Sequence, residues 1–241
     1  MARENKQICD PKHIIQALAK IGEAIASDSY LDDVLKLIVT VTAEVMSSKI
    51  CSIMLLNKKT QELEVKATQS VSEAYNKKPN IKIGNGIAGK VAKEGKPITV
   101  TDVRKDKDYI NTSIAKKEKL CSLLCVPLIF KGKPIGVLNS YTSKPHEFSK
   151  NEINALKSIA NQAAIVIENF RLVVESKVIK EELEARKSIE KAKGIIMEQE
   201  RLTEKQAYQR LRKYSMDSRK SMRDVSEAII LAEEMKKSYK K

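Results

Sequence analysis

Residues 81–103 read Ile81-Lys82-Ile83-Gly84-Asn85-Gly86-Ile87-Ala88-Gly89-Lys90-Val91-Ala92-Lys93-Glu94-Gly95-Lys96-Pro97-Ile98-Thr99-Val100-Thr101-Asp102-Val103, and two folds compete for them. Gly84-x-Gly86-x-x-Gly89 after a strand, with Asp102 further on, has the spacing of a dinucleotide fingerprint. That fold needs a buried apolar first strand, a full crossover helix and a second βαβ unit. Here the strand is only Ile81-Lys82-Ile83, the helix from Gly84 closes at Gly95, and no second unit follows. The glycines better suit a tight turn and close packing of a short helix on a sheet. An α+β fold without a nucleotide cofactor is therefore expected.

Outward from this stretch the periodicities alternate. Upstream, Ile14, Leu18, Ile21 and Ile25 space a helix over residues 13–26. Ser29 and Asp32 make a capping-box pattern before a second helix, whose stripe is Leu31, Leu35, Ile38, Val41 and Val45. Ile50 to Leu56 reads as a strand, and Leu63, Val65 and Ala67 alternate as a half-buried one. Residues 70–80 are polar and read as a loop. Downstream, Pro97 to Val100 is a strand and residues 101–119 a long loop with at most one helical turn. Leu120 to Phe130 and Pro134 to Tyr141 flank Lys131-Gly132-Lys133, a hairpin signal. The order predicts an antiparallel sheet with helices on one face.

A helix then begins at Ser149, with Glu152 at the capping-box position, and meets no Pro or Gly until Gly194. Ile153, Leu156, Ala160, Ala163, Ile167, Phe170 and Val174 step by three and four, as a coiled-coil seam does. The seam breaks at Lys177 and Glu181 and resumes out of phase through Val178 and Leu183. A continuous stalk paired with the same helix of a second chain is expected; the other reading ends the helix near Asn169. Two short helices follow. Thr203 and Gln206 cap the first; Ser218 or Ser221 caps the second, whose apolar face is Val225, Ile229, Ala232 and Met235.

Bulk properties narrow the function classes. The 241 residues carry 45 Lys and Arg against 31 Asp and Glu, a formal charge of +14. That balance favours a polyanionic partner. No apolar run could span a bilayer and residues 1–12 lack a signal-peptide core, so a cytoplasmic protein with no membrane partner is expected. Cys9, Cys51, Cys121 and Cys125 form no disulfide framework. With His13 and His146 the only histidines, and neither near a cysteine in sequence, no metal is expected.

The succession Ile83 to Ala92, Pro97 to Val103, Leu123-Leu124-Cys125-Val126-Pro127-Leu128, Ile135-Gly136-Val137-Leu138 and Phe148-Ser149 resembles a GAF domain over residues 12–172. The resemblance implies a small-molecule pocket between the sheet and its covering loops, or a ligand-free domain that serves dimerisation. It does not fix the ligand, which stays unknown. The pocket is assigned Met54, Asp102, Tyr109 and Cys121, with the 101–119 loop as a wall.

The C-terminal pattern is similar to the ANTAR family over residues 186–238, behind a stalk at 149–185. It reads Arg186-x-x-Ile189-x-x-Ala192-Lys193-Gly194-Ile195-Ile196-Met197, then Ala207-Tyr208-x-x-Leu211-Arg212-x-x-Ser215-Met216, then Met222-x-x-Val225-x-x-Ala228-Ile229-Ile230. Ser226 departs from the family's frequent alanine. The family binds hairpin loops in leader RNA and stabilises them against a terminator stem, so RNA, a second copy of the chain and the RNA polymerase context are the implied partners. Residues 186–223 hold 12 Lys or Arg against 5 Asp or Glu. The RNA-binding residues expected are Arg186, Lys193, Gly194, Met197, Tyr208, Arg212, Lys213 and Arg219. Tyr208 and Arg212 share a face and suit stacking on a base beside a phosphate contact, although Tyr208 equally suits the core of a three-helix bundle. The whole reads as a ligand-controlled antitermination regulator and not an enzyme. Its rivals are a DNA-binding factor whose last helices form a helix-turn-helix, and a GAF dimer serving as a scaffold.

Overall fold

The computed structural model describes residues 31–238, together with Ala19. Apart from Ala19, the helix expected over residues 13–26 lies outside the described residues, as does Ser29 of the cap expected after it. The chain divides into two compact units parted after Phe170.

The first unit is built on a six-stranded sheet. Its elements are α1 (Leu31–Val45), β1 (Ile50–Asn57), β2 (Glu62–Thr68), α2 (Glu73–Asn76), β3 (Ile81–Lys82), α3 (Gly86–Glu94), β4 (Ile98–Val100), α4 (Thr112–Lys117), β5 (Leu123–Phe130), β6 (Lys133–Tyr141) and the start of α5 (Lys150–Glu200). The strand order is β3-β2-β1-β6-β5-β4, and every pairing is antiparallel. An all-antiparallel sheet has no βαβ crossover, which removes the dinucleotide fold. Gly89 explains the glycine spacing instead. A Cβ there would lie 2.4 Å from the Lys82 carbonyl oxygen, so only glycine lets α3 approach β3 this closely. Gly95 ends α3 in the left-handed conformation.

Period-two alternation sorts the sheet residues into two cores. Leu124, Val126 and Leu128 of β5, with Cys51, Ile53 and Leu138, face α1 and the first turns of α5. Leu123 and Cys125, with Met54, Val137 and Tyr141, face α3, Tyr75, Tyr109 and Ala115. The two long helices thus share one face, while short helices and loops roof the other, more than the sequence reading placed there. Truncating a fully buried leucine such as Leu138 to alanine would cost about 2–5 kcal/mol. The polar 70–80 stretch is not all loop: Ser72 accepts from the Tyr75 N–H and starts α2.

The expected capping box at Ser149 forms. The Ser149 N–H donates to Glu152 at 2.7 Å, and the Glu152 N–H donates to the Ser149 hydroxyl at 3.3 Å. From there α5 runs unbroken to Glu200 and does not stop near Asn169. The expected seam needs correction along its first half. Leu156, Ala160, Ala163 and Ile167 are buried against the sheet of the same chain, with Ile153 and Phe170 at the margin. One stripe cannot serve two partners, and the sheet takes this one. Beyond Phe170, Leu172, Val173, Val174, Val178, Ile179 and Leu183 are exposed.

The second unit packs the end of α5 with α6 (Glu204–Ser218) and α7 (Met222–Ser238) around Ala192, Ile196, Ala207, Leu211 and Val225. Gln206 accepts from the N–H and hydroxyl of Thr203 to start α6, and Ser221 with Asp224 starts α7. Ser218 is not that cap; its hydroxyl donates to the Tyr214 carbonyl at the end of α6. Ser226 is fully buried, its hydroxyl satisfied by the Met222 carbonyl at 2.6 Å.

Candidate nucleic-acid interface and sensor cavity

Helical spacing places Lys205, Tyr208 and Arg212 on one face of α6. They line an open groove together with Lys193 of α5, Thr203, Glu204 and Gln209. Tyr208 is 45% exposed, so it is not the core aromatic that the sequence left possible. Lys205 and Arg212 are exposed and have no carboxylate partner among the described residues. A ring flanked by two uncommitted cations can stack on an unpaired base and hold the adjoining phosphates.

Lys193 stands differently. It is 8% exposed, and its ammonium lies 2.6 Å from Glu190 and 2.8 Å from Glu204. The Glu190 and Glu204 carboxylates hold it above the usual lysine range. It forms the groove wall with its charge already compensated. Met197 is half-buried and packs on the core, because the face it shares with Lys193 turns inward. Gly194 is exposed, and a Cβ there would meet nothing within 4 Å; its own unit gives no packing reason for a glycine. Arg186 and Lys213 are exposed and without a carboxylate partner among the described residues. Arg219 takes the left-handed cap position of α6, φ 54°, with its side chain outside. None of these three lines the groove.

Among the expected residues of the sensor pocket, Met54 and Tyr109 line a small, partly enclosed cavity of about 10 Å³ with Lys78, Ile87, Asn139 and Tyr141. Asp102 and Cys121 lie away from it. Arg104 joins them, donating to both Asp102 oxygens at 2.7 and 2.8 Å and to the Cys121 sulfur at 3.3 Å. The Arg104 guanidinium holds the Asp102 carboxyl down at about 2. This cluster pins the start of the 101–119 loop.

Lys78, Asn139 and Lys205 were not singled out in the sequence. Lys205 had a signal, three positions before Tyr208 on the same helical face. Lys78 had none, since a lysine in a polar stretch is ordinarily solvated.

Comparison with known proteins gives these sites a setting. The GAF domain family matches residues 29–168, more than half of the chain, and the ANTAR domain family matches residues 178–230. A methyl sulfide methyltransferase-associated sensor from Methanosarcina acetivorans is 27% identical over 165 residues, covering 66% of this chain and 16% of its own length. A phosphoenolpyruvate-dependent phosphotransferase system protein of Escherichia coli (strain K12) is 24% identical over 159 residues, 66% of this chain and 21% of its own length. The chain therefore spans about a fifth or less of these relatives. The solved GAF domain of a phosphoenolpyruvate-protein phosphotransferase from Coxiella burnetii superposes with a TM-score of 0.62 at 23% identity, covering 69% of this chain and 99% of that one. At that identity the likeness is one of fold. GAF domains are sensors and ANTAR domains bind RNA, so the exposed groove and the small cavity fall in modules of those two kinds. The chain belongs to the GAF family and carries an ANTAR domain behind its sensor fold.

Proposed function

We propose that this chain is a signal-responsive transcription antitermination regulator and not an enzyme. Its ANTAR domain binds hairpin loops in leader RNA, and a ligand or partner at the GAF domain controls that binding. The observation that carries this reading is the α6 groove, where Tyr208 stands exposed between Lys205 and Arg212. Stacking of one base on an aromatic ring is worth about 1–3 kcal/mol, and each cation adds a salt-sensitive phosphate contact. Gly194, Arg186, Lys213 and Arg219 extend the surface.

The working unit in this reading is a homodimer. Ile165, Leu172 and Ile179 follow one another at heptad spacing on α5, with Leu183 next in register, and they are 44%, 49%, 65% and 51% exposed. Two such stripes would pair along the helices and present one RNA-binding module per chain. A signal shifts the dimer only by favouring one of its states. No helix of the described residues is long and apolar enough to cross a membrane. The proposed place of action is the cytoplasm, beside RNA polymerase and its transcript.

The test compares a looped RNA hairpin with duplex DNA of equal length at equal salt. The hairpin should bind more tightly, and Tyr208→Ala and Arg212→Ala should each weaken it about tenfold without changing the far-ultraviolet circular dichroism. Tighter binding to duplex DNA would instead support a helix-turn-helix factor. Unchanged affinity in both variants would remove the groove as the site.

A further inference from the structure

Lys78 is 7% exposed, yet no carboxylate among the described residues pairs with it. Its ammonium lies 4.4 Å from the centroid of the Tyr75 ring and donates to the Tyr75 hydroxyl oxygen at 3.3 Å. Those contacts soften the burial of a cation but do not neutralise it. Asn139, on β6, is 1% exposed. Its Nδ2 donates to Ser52 Oγ at 3.3 Å, while its Oδ1 has no partner. Ser52 Oγ in turn lies 2.9 Å from the Tyr75 hydroxyl. One polar chain therefore runs Lys78–Tyr75–Ser52–Asn139. It ends in an uncompensated donor at one side and an uncompensated acceptor at the other, and both end residues line the same cavity.

The rest of the lining constrains what would complete them. Met54, Ile87 and Ala88 are apolar, and Tyr109 and Tyr141 point their hydroxyls at each other, 3.4 Å apart. The cavity of about 10 Å³ holds roughly one water as it stands. Its walls are the sheet and α3 together with Tyr109, Ile110 and Asn111 from the 101–119 loop. A ligand must be small, and that loop must lift to admit it.

We infer that this cavity binds a small 2-hydroxycarboxylate, with the carboxylate on Lys78 and the neighbouring hydroxyl donating to Asn139 Oδ1. The inference rests on the reading of the GAF domain as the signal-receiving module. Charge selects the hydroxy acid over the amino acid. The carboxylate cancels the lysine, whereas an added ammonium would restore a net positive charge in a cavity whose lining offers no anion. A neutral amide of the same shape can accept from the ammonium but leaves the buried charge uncompensated.

The test is the melting temperature of the full chain at pH 7 with millimolar glycolate, lactate, glycolamide, glycine, acetate, chloride or inorganic phosphate. Glycolate or lactate should raise it by several degrees. Glycolamide, glycine and acetate should each bind about tenfold more weakly or not at all. Lys78→Met should abolish the glycolate response. Glycolamide matching glycolate, no response to either hydroxy acid, or an equal response to chloride or phosphate overturns the inference. So does a glycolate response that survives in Lys78→Met. The comparison of glycolate with glycolamide uses the unaltered protein and stands even if the variant folds poorly. Hairpin affinity measured on the same samples without ligand separates the readings. Intact RNA binding with no glycolate response sinks this inference alone, and lost RNA binding with a glycolate response sinks the antitermination reading alone.

Discussion

Burial pushes the Lys78 ammonium down to about 8, with Cys125 opposing slightly, and that shift makes its state measurable. Below about pH 8 both the folded and unfolded chains hold the proton, so the folded state bears the full cost of the buried charge. Between about 8 and 10.5 the folded lysine releases its proton while the unfolded one keeps it, so this cost fades as pH rises. Lys78→Met should therefore be more stable than the parent by up to about 3 kcal/mol at pH 7. The gap should close towards pH 10.5. The difference between the two proteins is the quantity to read. Cys51, pushed up to about 12 by burial, works in the opposite direction in both and cancels. Urea denaturation at pH 7 and pH 10 checks this, and a gap that does not narrow means that Lys78 is not a buried cation. Gly194 allows a second measurement at this scale. Its Cβ position is open, so Gly194→Ala should stabilise the ANTAR module by up to about 1 kcal/mol through helix propensity alone. If the exposed backbone is an RNA contact, hairpin affinity should fall about tenfold in the same protein. A variant that melts higher and binds RNA equally well removes Gly194 from the interface. Single residues were the least legible scale in the sequence. Tyr208 and Arg212 could be paired because helical spacing sets their face, whereas the inward turn of Lys193 depends on Glu204, which only folding brings to it.

Elements were far more legible. The caps at Ser149, Thr203 and Ser221 rest on contacts three residues apart, and Gly95 on a local backbone conformation, so the sequence contains the whole interaction. β5 was legible as a strand, but its run from Leu123 to Phe130 is apolar throughout, so only the fold divides it between two faces. The α5 seam failed for a physical reason: heptad spacing states that a stripe is apolar but not what covers it. The sheet covers Leu156, Ala160, Ala163 and Ile167, while Ile165, Leu172 and Ile179, at heptad spacing along the same helix, are exposed. That register gives a clean test. Leu172→Lys with Ile179→Lys should turn a dimer into a monomer by sedimentation equilibrium. Both positions are exposed, so GAF-domain stability should change by less than about 0.5 kcal/mol. A mass that does not change with the double substitution places the dimer contact elsewhere or removes it.

At the scale of the whole molecule, the +14 charge means less than its distribution. Lys191, Lys193, Arg210 and Arg223 answer to glutamates of their own module, while Lys205, Arg212, Lys213, Arg186 and Arg219, like Lys187, Arg201 and Lys220, have no carboxylate partner among the described residues. In the proposed reading the groove supplies two of these cations, Lys205 and Arg212, and the log-log salt slope for one hairpin should fall by about 0.7–0.9 when either is removed. Few contacts per module imply weak binding to a single hairpin, and the proposed dimer is what would make the regulator effective. When one module is bound, the second hairpin of a tandem pair meets the other module at an effective concentration set by the connecting RNA. The gain is about 10²–10⁴ in affinity with no new contact. The Leu172→Lys, Ile179→Lys protein should therefore bind a single hairpin as the parent does and lose at least about 10² in affinity for a tandem pair. Lengthening the RNA between the hairpins should erode the parent's advantage gradually and leave the variant indifferent. Equal loss on single and tandem RNA would mean that α5 pairing shapes each site and does not merely join two. Equal affinity of parent and variant for the tandem RNA would mean that one module reads both hairpins, and the homodimer would have no part in recognition.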